Sequence, residues 1–167
     1  RNPGTRVLLS VGGATYKRWD RASMSALLAI VRDFHLDGID IDYEPLHPGC
    51  RTGAEGRIAC ITDMNWDIIV RHMRAALPRP KILTASVWSV GAYGEGAYRA
   101  SRPRSDYTGF MLGLLRSPRA ADLDILLINA YDAGPQFDPL ESFRAYRSVW
   151  PGRLALGVEV RYPGGTG

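Results

Sequence analysis

Residues 37–44, with the sequence D-G-I-D-I-D-Y-E, constrain this chain more than any other segment. Apolar and acidic residues alternate there with a period of two, which predicts a β-strand with two unlike faces. The apolar face can pack under a layer of helices. The acidic face cannot be an ordinary core face, because burying unpaired carboxylates costs on the order of several kcal/mol for each group. The apolar face comprises Ile39, Ile41 and Tyr43, and the acidic face comprises Asp40, Asp42 and Glu44.

Carboxylates this close together cannot all ionise freely, so we expect the pKa of at least one of them to rise. A carboxyl with a raised pKa at the end of a strand suits a general acid that works near neutral pH. Two other interpretations fit the alternation alone. One is the solvent-exposed face of an antiparallel sheet, and the other is a site for Mg²⁺ or Ca²⁺, which bind clustered carboxylates.

Strand and helix patterns alternate about five times along the chain, which favours βαβ units around a parallel sheet in a single domain. We expect Ser23, Asp63 and Asp138 to cap three of the helices. The predicted strands are 7–11, 37–44, 81–88, 124–132 and 154–158, and the predicted helices include 24–34, 66–77, 110–115 and 139–150.

The composition, with 46% hydrophobic and 23% charged residues, is typical of a globular domain. No apolar run approaches the roughly 18 residues that a membrane span requires. The net charge is +4 and the arginines are scattered, which argues against a nucleic-acid-binding surface. Phosphate-binding loops, zinc signatures and a Ser-His-Asp pattern are absent from the sequence, so we expect no cofactor and no metal.

Cys50 and Cys60, the only cysteines, lie in the segment that follows the acidic strand. They either form a disulfide that closes this loop or remain free thiols. Because no His or further Cys stands at ligand spacing, they do not predict a zinc site.

Three short motifs, in order along the chain, resemble those of glycoside hydrolase family 18, the chitinases and endo-β-N-acetylglucosaminidases. Residues 37–44 match the family's D-G-x-D-x-D-x-E signature. Residues 10–13, S-V-G-G, resemble its S-x-G-G motif, and residues 129–132, N-A-Y-D, resemble its Met/Gln-x-Tyr-Asp/Asn motif. Residues 83–87, L-T-A-S-V, are similar to its fifth strand.

The resemblance implies an α/β fold, the TIM (β/α)₈ barrel, which typically needs about 250 residues. We therefore expect residues 1–167 to be a partial catalytic domain that runs from about strand three to strand seven of an incomplete barrel. The resemblance also implies an extracellular enzyme.

The resemblance further assigns roles to individual residues. Ser10 would hydrogen-bond Asp40 and, with Asp37, support the site. Trp88 either stacks on a sugar ring or is a buried packing aromatic, and the two glycines permit a turn and a close backbone approach. The implied catalytic residues are Glu44, Asp42, Asp40 and Tyr131. The implied substrate-binding residues are Asp132, Trp88, Asn129, Gly12 and Gly13.

The activity that the resemblance implies is hydrolysis of β-1,4-linked N-acetylglucosamine in chitin or related glycans, by substrate-assisted retaining catalysis. The expected partner is an oligosaccharide or polysaccharide that contains N-acetylglucosamine. Two alternatives remain within this fold: a non-catalytic sugar-binding relative, and a fragment that is inactive through truncation. A third is a barrel enzyme that uses the acidic strand to bind Mg²⁺.

Overall fold

The computed structural model describes residues 2 and 4–159 of the 167-residue chain. In that part, a parallel sheet and a short antiparallel hairpin form the β-structure. The strands are β1 (Leu8–Gly12), β2 (Gly38–Asp42), β3 (Arg51–Thr52), β4 (Ile58–Ala59), β5 (Ile82–Trp88), β6 (Ile125–Asn129) and β7 (Arg153–Gly157). The parallel sheet has the order β1-β2-β5-β6-β7, and β3 pairs with β4 in the hairpin.

Helices connect the parallel strands, as the alternating pattern predicted. Because each connection returns the chain to the same end of the sheet, the carboxyl ends of the parallel strands meet at one edge. The α-helices are α1 (Met24–Asp33), α2 (Asp63–Ala76), α3 (Leu112–Arg116) and α4 (Pro139–Val149). Short 3₁₀ helices span Trp19–Arg21, Gly96–Tyr98 and Pro118–Asp122.

The hydrophobic core lies between one face of the sheet and the helices. Ile39 and Ile41 of β2 are only 1% and 0% exposed. Tyr43, just beyond β2, packs edge-on against Trp66 of α2, with ring centroids 5.2 Å apart. The predicted apolar face of residues 37–44 is therefore confirmed. Neighbouring strands bury Leu83, Ala85, Val87, Leu126 and Ile128 in the same core.

Two of the three predicted helix caps are confirmed. The Ser23 hydroxyl accepts the Ala26 amide at 3.3 Å, and the Asp138 carboxylate accepts the Leu140 amide at 2.8 Å. The prediction for Asp63 is wrong by one position, because Thr62 is the N-cap of α2 and Asp63 is its first residue. The Asp63 carboxylate instead accepts the backbone amide of Cys60 at 3.0 Å.

The loop after β2 contains the β3–β4 hairpin, which the sequence patterns did not predict. A disulfide between Cys50 and Cys60 closes this loop. Glu95 accepts the Ile58 amide, and Arg116 binds both the Glu95 carboxylate, at 2.7 Å, and the Ile58 carbonyl, at 2.5 Å. Contacts from distant parts of the chain therefore hold the hairpin on the domain.

Within residues 2 and 4–159, β1 and β7 are the edge strands of an open parallel sheet. This arrangement agrees with the expectation of an incomplete barrel. Among the helices of the described part, none combines the length and apolar character needed to cross a membrane.

Candidate active site

Asp40, Asp42 and Glu44, here called the acidic row, lie where β2 reaches the carboxyl edge of the sheet. Asp40 is 4% exposed and is held by hydroxyl groups from both neighbouring strands. Ser10 of β1 donates to Asp40 Oδ2 at 3.0 Å, which is the contact that the resemblance implied. From β5, Thr84 donates to Oδ1 at 2.6 Å and Ser86 donates to Oδ2 at 2.8 Å. These donors fix the orientation of the Asp40 carboxyl.

Asp42 is the carboxyl of the row whose pKa is raised. Burial is the main cause, followed by the negative charges of Glu44 and Asp40 and a side-chain hydrogen bond with Glu44; together they raise the pKa of Asp42 from about 3.8 to about 7. The Lys17 ammonium acts in the opposite direction. Among the described residues, Asp42 Oδ1 is buried and has no hydrogen-bond partner. The predicted rise in pKa thus falls on Asp42, the middle carboxyl of the row.

Glu44 borders a cavity of about 320 Å³ at the carboxyl edge of the sheet. Most of the predicted substrate-binding residues line the same cavity, although they come from distant parts of the sequence. The sheet register explains this, since Trp88 pairs with Asn129 at the ends of β5 and β6. The predicted site residues around this cavity are Glu44, Trp88, Asn129, Tyr131 and Asp132.

Tyr131 is 43% exposed and lines the cavity. Burial, and then the negative charges of Asp42, Glu44, Asp132 and Asp40, raise the pKa of Tyr131. The phenol therefore keeps its proton at neutral pH and remains a hydrogen-bond donor beside the acidic row. The next residue, Asp132, has a left-handed backbone with φ of 51°, which is uncommon for a residue other than glycine.

Trp88 packs against another aromatic ring and also borders the cavity, so its stacking on a sugar stays a prediction. One face of its ring stacks on Tyr107, with ring centroids 3.8 Å apart and an interplanar angle of 11°. The Trp88 side chain also lines the cavity. Any sugar contact would therefore use the part of the ring that Tyr107 leaves uncovered.

Gly12 and Gly13 support Asp42 from the adjacent strand and do not line the cavity beside Glu44. Gly12 has φ of 128°, and a Cβ there would lie 1.9 Å from the Asp42 carbonyl oxygen. The Gly13 amide donates to that same oxygen at 2.9 Å. The close backbone approach that the glycines were expected to permit is therefore present.

Asp37 lies at the amino end of β2, away from the cavity. Its carboxylate accepts the Val7 amide at 2.8 Å and pairs with Arg6 at 3.1 Å. Asp37 thus anchors the start of the β1–β2 pair, and its supporting role for the site stays a prediction.

Sequence patterns missed four side chains that contact the acidic row or the backbone beside it. Thr84 and Ser86 bind Asp40, and their period-two spacing on β5 is a signal that could have identified them. Lys17 donates to the Glu44 carbonyl, and Tyr107 donates to the Pro45 carbonyl. Both lie in loops, where no periodic pattern marks them.

Cation binding by the acidic row was one of the interpretations left open. In the part of the chain that the structure describes, no group of three or more His, Cys, Asp and Glu side chains is arranged to hold a metal ion.

Solved structures with a similar fold include several chitinases. A GH18 chitinase from Pseudoalteromonas aurantia has a TM-score of 0.67 and 19% identity, over 92% of this chain and 55% of that chain. The class V chitinase from Nicotiana tobaccum has a TM-score of 0.59 and 17% identity, over 94% and 49%. A chitinase from Rhizomucor miehei has a TM-score of 0.54 and 22% identity, over 93% and 51%.

No protein-family profile and no curated protein sequence matches the chain. The chain spans about half the length of the solved chitinases whose fold it shares. The prediction of an α/β fold that forms an incomplete TIM barrel is confirmed. The chain therefore has the fold of the glycoside hydrolase family 18 chitinases, over about half of their length.

Proposed function

We propose that this chain is the catalytic region of an extracellular hydrolase that cleaves β-1,4-linked N-acetylglucosamine in chitin or a related glycan. One observation carries the proposal. Asp40 and Asp42 of β2 and Glu44 just beyond it follow one another at the carboxyl edge of the sheet, with Asp40 fixed by hydroxyl donors and Glu44 at a cavity that Tyr131 also lines. Such a row can bind, orient and protonate a sugar without a cofactor.

Glu44 is the proposed general acid. Its carboxyl donates a proton to the glycosidic oxygen as the bond from that oxygen to the anomeric carbon breaks. The carbonyl oxygen of the substrate's own acetamide bonds to the anomeric carbon, which gives a cyclic oxazolinium ion. This is the substrate-assisted variant of glycoside hydrolysis, in which the enzyme supplies no carboxylate nucleophile. Glu44 then removes a proton from water, whose oxygen bonds to the anomeric carbon as the bond from the acetamide oxygen to that carbon breaks. This regenerates the acetamide and retains the configuration.

Asp42 is proposed to orient the acetamide and to stabilise the positive charge that develops on it. A pKa of about 7 means that Asp42 holds a proton below neutral pH, and its side-chain hydrogen bond to Glu44 offers a route between the two carboxyls. As the oxazolinium ion forms, a negative charge on Asp42 becomes favourable. Asp40 is proposed to share a proton with Asp42 and so to tune it.

Tyr131 is proposed to donate its hydroxyl to the acetamide oxygen, and Asp132 to accept sugar hydroxyls. Trp88 and Asn129 would contact the sugar at the ends of β5 and β6. Aromatic rings suit this role because they offer flat apolar surface with little loss of side-chain freedom.

The similar solved structures support the substrate class. Each is described as a chitinase, and a variant of the Nicotiana tobaccum enzyme has been solved in complex with NAG4. The disulfide between Cys50 and Cys60 supports an extracellular location, because such bonds persist in oxidising compartments.

The test is the Glu44→Gln variant of the full-length protein, assayed on a chromogenic chitin oligosaccharide. Glutamine keeps the shape but cannot donate the proton, so we expect kcat to fall by at least about 10²-fold. Glu55→Gln is the matched control, because Glu55 is exposed on the β3–β4 turn and should leave kcat unchanged.

Product release and oligosaccharide binding should be measured side by side. Hydrolysis by Glu44→Gln at close to the wild-type rate would end the proposal. Tight binding by the wild-type protein with no product formed would instead favour a non-catalytic sugar-binding protein.

A further inference from the structure

At the end of the acidic row, the backbone carbonyls of two consecutive residues, Glu44 and Pro45, accept hydrogen bonds from side chains on opposite sides of β2. Lys17 Nζ donates to the Glu44 carbonyl, and the Tyr107 hydroxyl donates to the Pro45 carbonyl. Lys17 lies between β1 and α1, whereas Tyr107 lies between β5 and α3. Because β1 and β5 are the strands that flank β2, the Glu44–Pro45 backbone is held from both sides.

The strand ladder ends before this part of the backbone. The register of β1 and β2 finishes with Gly12 opposite Asp42. Pro45 has no amide hydrogen to donate, so its carbonyl is its backbone hydrogen-bonding group. Beyond the ladder, the contacts of Lys17 and Tyr107 hold the carbonyls of Glu44 and Pro45.

The Tyr107 hydroxyl is itself held in place by ring packing. Its ring stacks on Trp88 at 3.8 Å and meets Phe110 edge-on at 5.6 Å. Burial, and then the negative charge of Glu44, raise the pKa of Tyr107, so the hydroxyl remains a donor at neutral pH. Tyr107 thereby connects Trp88, which lines the cavity, to the backbone that carries Glu44.

Lys17 is half-buried and borders a second cavity of about 480 Å³ together with Trp19, Tyr43 and Glu44. Its ammonium reaches the Glu44 carbonyl. Its positive charge lies near the acidic row.

We propose that Lys17 and Tyr107 are positioning residues that form a carbonyl clamp on Glu44 and Pro45 and hold the Glu44 carboxyl in line with the glycosidic oxygen. This role rests on the proposed hydrolase function. A small misplacement of a catalytic group lowers the rate of the chemical step far more than it weakens substrate binding. The clamp should therefore affect kcat and leave KM nearly unchanged.

Lys17 has a second, electrostatic effect. The charged groups that face Asp42 are Glu44, Asp40 and Lys17, with the neutral phenol of Tyr131 beside them. Lys17 is the cation in this set and lowers the pKa of Asp42. Removing it should therefore raise the pKa of Asp42 further. The alkaline fall of kcat/KM should then shift to higher pH.

The experiment compares Lys17→Met and Tyr107→Phe in the full-length protein. Each removes one donor and keeps the bulk of the side chain, so we expect kcat to fall about 10-fold with KM within about twofold of wild type. Lys17→Arg, which keeps the cation and its donors, should recover most of the rate. The double variant should lose less than the product of the two single losses, because both donors act on one segment.

A matched control is available for Lys17. Lys81 Nζ donates to the Leu36 carbonyl at 2.6 Å, at the other end of β2. Lys81→Met thus removes the same kind of bond away from Glu44. It should leave kcat and the pH profile unchanged.

A second readout separates the clamp from the hydrolase assignment. Carboxyl ¹³C NMR of the ligand-free protein reports the order of the Glu44 side chain without any substrate, and both clamp variants should broaden that signal. If the signal broadens but the wild-type protein hydrolyses nothing, the clamp stands and the hydrolase proposal fails. If neither the signal nor kcat differs from the Lys81→Met control, the clamp is wrong.

Discussion

Asp42 is a carboxyl that folding makes harder to ionise. Its ordinary pKa is about 3.8, and burial beside Glu44 and Asp40 raises it to about 7. Between these two pH values the folded protein holds a proton that the unfolded chain has released. By linkage, the favourable contribution of protonated Asp42 to stability is complete below pH 3.8 and is lost as the pH rises through about 7.

Replacing Asp42 by Asn should therefore stabilise the protein at alkaline pH. We expect Asp42→Asn to have a higher Tm than wild type at pH 8, with the difference shrinking towards pH 4. Each 1 kcal/mol gained would raise Tm by about 2–4 °C in a chain of this size. Thermal unfolding of both proteins over that pH range measures the effect, and a variant that is less stable at pH 8 would contradict it.

Asp124 provides a control of opposite sign. Burial tends to raise its pKa, but the Leu83 amide and Arg74 outweigh burial, so the pKa of Asp124 is lowered. Its contribution is present above the ordinary pKa and is lost as the pH falls through the folded value. Asp124→Asn should thus cost about 1–3 kcal/mol near neutral pH and much less in acid.

Single residues were predictable where a local pattern fixes their environment. The period-two alternation of β2 was enough to place Asp40 on a polar face and Ile41 in the core. The hydroxyl donors Thr84 and Ser86 were missed because they reach Asp40 only through the pairing of β2 with β5. Lys17 and Tyr107 were also missed, because their bonds to the backbone depend on how the loops fold.

At the scale of an element, β1 and β2 require glycine where they meet. Gly12→Ala would place a Cβ 1.9 Å from the Asp42 carbonyl oxygen and would also strain a residue with φ of 128°. We expect this variant to lose at least about 2 kcal/mol of stability, because a backbone atom cannot move aside as a side chain can. Denaturant unfolding measures the loss.

Gly56→Ala is the matched control for the clash. Gly56 also has a positive φ, of 74°, but a Cβ there would meet nothing within 4 Å. Its cost should be about 1 kcal/mol from backbone strain alone. Equal losses for the two variants would show that the approach of Gly12 to Asp42 is not the destabilising feature.

Elements with local signals were predicted well, and elements held by distant contacts were not. The start of α4 was found because Asp138 and Pro139 form a recognisable N-terminus. The β3–β4 hairpin was missed because two-residue strands show no alternation, and Glu95 and Arg116 hold the hairpin from elsewhere in the chain.

At the scale of the whole molecule, the described sheet has open edges at β1 and β7. Leu156 of β7 is 38% exposed, so apolar surface accompanies the unpaired edge. Such edges pair with other chains. We expect the 167-residue chain to associate in solution and to hydrolyse chitin oligosaccharides poorly.

A charge on the edge should reduce that association, since lysine on an edge strand opposes pairing. Leu156→Lys should shift the 167-residue chain towards monomer in light scattering coupled to size exclusion. Leu46→Lys is the matched control, because Leu46 is 67% exposed but lies in the loop after β2. If the two variants shift the mass equally, the β7 edge is not the site of association.

The fold was predictable from three motifs although identity to the similar solved structures is only 17–22%. All three motifs lie where parallel strands approach the carboxyl edge. Ser10 contacts Asp40 there, and residues of the third motif line the cavity that Glu44 borders. The fold constrains the sequences of its helices less, since many combinations of apolar residues fill a core equally well.

Lys17 and Lys81 are the two lysines of the chain, and each is bonded to a carbonyl at one end of β2. Reductive methylation with isotopically labelled formaldehyde would tag both amines and keep their charge. The Lys17 resonance would respond to a ligand that enters beside Glu44, while the Lys81 resonance, at the far end of the strand, would serve as an internal reference. The native chain thus already carries a spectroscopic probe and its reference.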